Sequence, residues 1–129
     1  MYEYNFTQNL FENILIILSR NRYPIIKSIN LGFGPFADVD FEKMKLCWYD
    51  ITDDTFLNNV NLKKKEIEGK LYCDDCRNEY SISKSKLENF DSSQEIFLCP
   101  ICKSHKTKIL SGIEIIILSL EVDSIDIPR

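Results

Sequence analysis

Cys73-Asp74-Asp75-Cys76 and Cys99-Pro100-Ile101-Cys102 are two Cys-x-x-Cys turns separated by 22 residues, and they hold four of the five cysteines in the chain. Each turn can aim two sulfurs at one point. Together they supply the four soft ligands that tetrahedral Zn²⁺ prefers, leaving no open coordination position for catalysis. Cys73, Cys76, Cys99 and Cys102 are therefore expected to form a structural zinc site.

Other uses of these cysteines fit less well. A thioredoxin-type redox pair needs a single Cys-x-x-Cys opening a helix within a βαβ unit, and here there are two without that context. Secreted disulfides are not expected, because Met1-Tyr2-Glu3-Tyr4-Asn5 has neither a basic start nor a signal-type apolar stretch. A reduced, cytoplasmic setting is the expectation. Cys47, in Met44-Lys45-Leu46-Cys47-Trp48, reads as a small buried hydrophobe. His105, the only histidine, follows Cys102 by three residues. Four thiolates already close the site, so His105 is placed beside it rather than among its ligands.

Charge restricts the partners. The net charge is −4 with a pI near 5.0, and four thiolates around Zn²⁺ add negative charge. Residues 73–106 carry five Lys or Arg against six Asp or Glu, so the attraction to phosphate that a nucleic-acid-binding ribbon needs is missing. Lys63-Lys64-Lys65 is a short basic run, read as a solvated strand edge rather than an RNA contact. The longest aliphatic runs, Ile14 to Leu18 and Ile115 to Leu118, are far short of the ~20 residues that span a bilayer. No nucleophile, base and orienting acid form a recognisable set, so no enzyme is expected.

The elements that must position these residues follow from periodicity. Phe6, Leu10, Ile14 and Leu18, widened by Phe11 and Leu15, predict a helix from Asn5, with Asn5 as N-cap and Gln8 at the capping-box position. Asn21 and Pro24 end it, and Ile25, Ile29, Leu31 and Phe33 alternate as a strand. The segment Gly32-Phe33-Gly34-Pro35 turns the chain. Asp40 is the expected N-cap of a second helix with Phe41, Met44, Cys47, Trp48 and Ile51 on one face, ending at Asp53 and Asp54. A second strand is expected between Val60 and Leu71, and a long strand buried on both faces from Ile109 to Val122. Between them the metal module has a polar interior, Ser81 to Glu95, that suits a loop or hairpin tied down by the ion. With one core to bury in 129 residues, the expected organisation is a main domain over 1–71 and 108–129, with an inserted zinc module over 72–107. Chemistry alone leaves a protein partner and a metal-handling role level.

Met1-x-Glu3, the turn at Gly34 leading to Val39-Asp40, the two cysteine pairs, and Ser111-Gly112-x-Glu114 followed by Leu118-Ser119-Leu120-Glu121 occur in an order and spacing that resemble one family. It is the HypA/HybF-type nickel metallochaperones of nickel-iron hydrogenase maturation, and the match runs from Met1 to about Val122. The resemblance implies an α+β fold, two helices on a three-stranded, mainly antiparallel sheet, with an inserted four-cysteine zinc-ribbon module. It implies docking to a nickel-pathway GTPase and to a hydrogenase large-subunit precursor, as monomer or homodimer. It also implies nickel bound through the N-terminal amine, backbone amides and a histidine at position 2, where this chain has Tyr2. A phenol of pKa near 10 is a poor Ni²⁺ ligand at neutral pH, leaving Met1, the Tyr2 backbone and Glu3 as donors of a weak nickel site. The other expectation, of a different class, is a degenerate relative that no longer delivers nickel and serves as an adaptor or assembly subunit.

Overall fold

A computed structural model describes residues 2–88 and 97–122, with the side chain of Tyr2 outside the description. The order of elements is α1 (Tyr2–Arg20), β1 (Ile26–Phe33), α2 (Phe41–Ile51), β2 (Asn61–Glu66), β3 (Gly69–Cys73), β4 (Glu79–Ile82), α3 (Lys84–Glu88), β5 (Thr107–Ser111) and β6 (Ile115–Val122). The fold is mixed α+β, with three helices and two three-stranded sheets, ordered β2-β1-β6 and β4-β3-β5. The chain divides into two compact units. One comprises 1–31, 39–64 and 117–129, the other 32–38 and 65–116. Residues 72–107 fall within the second.

In the first unit the apolar stripe of α1 does what its period requires: Leu10, Ile14 and Leu18 are buried, while Phe6, Phe11 and Leu15 are half-buried. α1 begins earlier than Asn5. The Thr7 hydroxyl donates to the Glu3 carbonyl at 2.6 Å, so a turn is already formed there, and Asn5 is an exposed residue inside the helix rather than its cap. α1 packs against α2, with the Phe11 and Trp48 rings in a T-shaped arrangement, their centroids 6.2 Å apart. Met44 and Trp48 are fully buried on α2. Asp40 caps α2 as expected, its Oδ1 accepting from the amides of Glu42 and Lys43 at 3.0 and 3.3 Å. The helix stops at Ile51, and Thr52 donates its hydroxyl to the Trp48 carbonyl.

β1 is the central strand of its sheet, and all of it except Lys27 is buried. Ser28 and Asn30 are thus covered as well as the aliphatic residues, whereas Ile25 lies outside the strand and is 61% exposed. β2 is an edge strand whose Lys63, Lys64 and Lys65 are exposed, as the sequence suggests for a charged run. Lys63 reaches Glu121 of β6 at 3.2 Å, and Asn30 Nδ2 between them donates to Ser119 Oγ and Glu121 Oε1 at 2.9 and 3.2 Å.

Two of the expected strands are each broken in two. The 60–71 stretch is β2 and then β3, in different sheets. The 109–122 stretch is β5 and then β6, also in different sheets, and it is not buried on both faces: Leu110, Ile113, Ile116, Leu118 and Val122 are exposed. The break lies at Gly112, with φ +113°, a conformation that side-chain-bearing residues avoid. β6 is an edge strand of its sheet. In the second unit Gly34, Gly69 and Gly112 meet: a Cβ on Gly34 would collide with the Gly112 carbonyl, and one on Gly112 would lie 2.7 Å from Gly69 Cα. The Glu114 carboxylate accepts from the Gly112 amide at 3.2 Å, and the Gly112 carbonyl accepts from Phe36 at 2.9 Å. Of the expected Ser81–Glu95 loop, the described part is the end of β4 and the five-residue α3, and 89–95 lie outside the described residues.

Candidate metal centre

The second sheet positions the cysteines. β3 pairs antiparallel with β4, Tyr72 opposite Glu79, and with β5, Cys73 opposite Thr107. Cys73 ends β3 and Cys76 sits in the β3–β4 turn, while Cys99 and Cys102 form the turn before β5. The two turns are built alike. The amide of Arg77 donates to the Cys73 carbonyl, and that of Lys103 to the Cys99 carbonyl, both at 2.9 Å. Arg77 and Lys103 adopt φ of 60° and 64°, a left-handed conformation costing a residue other than glycine about 1–2 kcal/mol. Nothing in the sequence marks these two positions, because the usual signal, glycine, is absent.

The result is a gathered quartet. Cys73 Sγ is 3.5 Å from Cys102 Sγ, and Cys76 Sγ is 3.6 Å from Cys99 Sγ. All four sulfurs lie within 4.8 Å of one another. Sulfurs 2.3 Å from a tetrahedral zinc would be about 3.8 Å apart, so the arrangement fits that ion. Cys73 and Cys99 are buried, Cys76 is half-buried and Cys102 is exposed. Among the thiols by themselves, the amide of Cys102 foremost, with that of Ile101 and the neighbouring thiols, pulls Cys99 down to about 6. The Ser104 amide favours the Cys102 thiolate, yet partial desolvation of the sulfur and the thiols of Cys73, Cys76 and Cys99 push it up to about 12. Four thiolates at such distances require a cation to hold them together. His105 is exposed and contributes no atom to the quartet, the only group of three or more metal-ligating side chains found among the described residues.

At the other candidate site, Met1 and the Tyr2 side chain lie outside the described residues. Glu3, in the first turn of α1, is half-buried, and its Oε2 accepts from the Asp40 amide at 3.5 Å. Glu3 also lines a cavity of about 300 Å³ with Lys43, Leu46 and Cys47. Cys47 is half-buried there, more open than a core hydrophobe.

Residues 1–122 match the family model described as hydrogenase/urease nickel incorporation, metallochaperone, hypA. The chain belongs to the HypA family. Among its relatives, the hydrogenase maturation factor HypA of Dehalococcoides mccartyi strain BAV1 is 28% identical over 123 residues, covering 95% of each chain. That of Crocosphaera subtropica is 29% identical over 125 residues, covering 97% of this chain and 98% of the other. The solution structure of the Ni metallochaperone HypA from Helicobacter pylori shares the fold, with a TM-score of 0.70 at 19% identity over 93% of this chain and 96% of that one. For a HypA chain, a four-cysteine cluster of this geometry fits a structural zinc site. No helix among the described residues is long and apolar enough to cross a membrane.

Proposed function

We propose that this protein is a hydrogenase maturation factor that acts as a nickel metallochaperone and docking protein, with zinc held by Cys73, Cys76, Cys99 and Cys102 as a structural element. The observation that carries this reading is the family match over residues 1–122 together with the gathered sulfur quartet. The zinc orders the module over 72–107, and the remainder, 1–71 with 108–129, is the nickel-handling domain. His105 stands outside the ligand set. The protein works by docking and metal transfer rather than by catalysis, in the cytoplasm. Its partners are a nickel-pathway GTPase and a hydrogenase large-subunit precursor, and the net charge of −4 argues against nucleic acid.

Nickel is cargo, and its donors at the amino terminus would be the Met1 amine, backbone nitrogen at Tyr2 and the Glu3 carboxylate. An imidazole at position 2 would close chelate rings through the intervening amide, whereas a tyrosine oxygen is farther out and protonated at neutral pH. Isothermal titration of Ni²⁺ into zinc-loaded protein tests this reading. Weak binding by the native chain, with a gain of at least tenfold and a square-planar, diamagnetic spectrum in Tyr2→His, is expected. Tight binding unaffected by the substitution would place nickel elsewhere. Absence of nickel binding, with stoichiometric copurification in a finished assembly, would point to the adaptor reading that Tyr2 suggests.

A further inference from the structure

The two cysteine turns are joined by more than their sulfurs. Ser104, two residues after Cys102, donates its hydroxyl to the carboxylate of Asp75, which lies between the ligands of the other turn. The same hydroxyl accepts from the Lys106 amide at 3.0 Å. The Ser104 carbonyl accepts from the amide of Cys99 at 2.9 Å, which ties the residue to its own turn. A second link runs beside it, the Asp74 amide donating to the Lys106 carbonyl at 2.8 Å. Lys106 Nζ lies 3.9 Å from the Asp75 carboxylate. The Lys106 side chain is three-quarters exposed, so this ion pair contributes little and the hydroxyl–carboxylate bond is the stronger contact.

The sequence separates the two turns by 22 residues, so gathering four sulfurs closes a long loop and costs chain entropy each time the site is assembled. The pairing of Cys73 with Thr107 already brings the turns near each other, and a bond between Asp75 and Ser104 offsets part of the remaining cost independently of the metal. We propose that Asp75 and Ser104 form a strap that keeps the two turns in register and slows zinc loss, acting on the metal through the backbone that carries the ligands. They are positioning residues, since neither belongs to the sulfur quartet. The proposal rests on the quartet being the zinc site.

Zinc-loaded full-length protein challenged with excess EDTA provides the test, with Co²⁺ substitution reporting the ligand set separately. Asp75→Ala and Ser104→Ala should each release zinc about tenfold faster than the native chain, the lower end of what outer contacts contribute at metal sites. Both should keep the native cobalt–thiolate absorption, which shows that the four sulfurs still bind. Ser104→Thr, which retains the hydroxyl, should restore slow release. The double variant should be no faster than Ser104→Ala, which already loses both the bond to Asp75 and the acceptor of the Lys106 amide. Release at the native rate from both single variants would overturn the strap and leave the zinc site standing. Additive acceleration in the double variant would overturn it too, by showing two unrelated effects. Failure of the native chain to show cobalt–thiolate bands would remove the metal site and the strap with it.

Discussion

The main-chain amide of Asp40 donates to the carboxylate of Glu3 at 3.5 Å, so the residue that caps α2 is itself held by the first turn of α1. Glu3 and Asp40 are 37 positions apart, and each reads in isolation as a lone helix-flanking acid. Together they place the start of α1 beside the start of α2.

Asp40→Ala should lower stability to urea by about 1 kcal/mol, the usual loss for an aspartate N-cap. Glu3→Ala should cost less, because its bond to the Asp40 amide is long. Equilibrium unfolding followed by circular dichroism measures both. An Asp40→Ala midpoint equal to that of the native chain would show that the cap does not stabilise α2.

Purified protein should carry one zinc per chain, and Cys73→Ser or Cys102→Ser should release it and loosen residues 73–106 while α1 and α2 persist on their own core. Protons compete with the ion for the sulfurs. Retention should therefore be full at neutral pH and fall as the pH is lowered into the acid range, as followed by atomic absorption after dialysis. Stoichiometric zinc in a variant lacking all four sulfurs would refute the assignment.

Glu121 carries a pH dependence of the first unit. The buried Ser28 hydroxyl, which has no aligned partner of its own, favours the charged carboxylate, as do the Lys63 ammonium and the Asn30 amide. They bring it from the usual 4.5 to about 2. A carboxyl with a lowered folded-state pKa stabilises the fold above 4.5, and that contribution is lost as pH falls from 4.5 through about 2. Glu121→Gln should flatten the thermal stability profile in this window without changing its shape above about pH 5. An equally steep profile in the variant would show that other carboxyls dominate.

Gly34→Ala should destabilise the second unit by about 1–3 kcal/mol, the cost of forcing atoms into filled space, because its Cβ has nowhere to go beside the Gly112 carbonyl. Gly112→Ala should also destabilise, by backbone strain at φ +113° as well as contact. Amide exchange in β3 and β5 would register both. Native protection in Gly34→Ala would mean that the crossing relaxes freely.

Local patterning was enough for much of this protein. The metal quartet was legible because ligand type and spacing are set within four-residue turns. The α1 stripe, the cap at Asp40 and the buried face of α2 were legible because 3.6-residue periodicity and end-capping are properties of contiguous residues. The position of Lys63–Lys65 on an edge strand followed from the cost of burying charge.

What only the tertiary structure decided depends on residues far apart in the chain. Gly112 divides the aliphatic-rich stretch 109–122 because it must pass close to Gly34 and Gly69, and composition within that stretch contains no trace of those neighbours. Asn5 looked like a cap because the capping-box pattern recurs by chance inside helices, and only the Thr7–Glu3 bond shows where the first turn lies. Asn30 meets Glu121 across 91 positions, and Asp75 meets Ser104 across 29. Periodicity states which face of an element is apolar. It carries no information on which distant strand or turn that face will meet, since that choice is made by the packing of the whole chain.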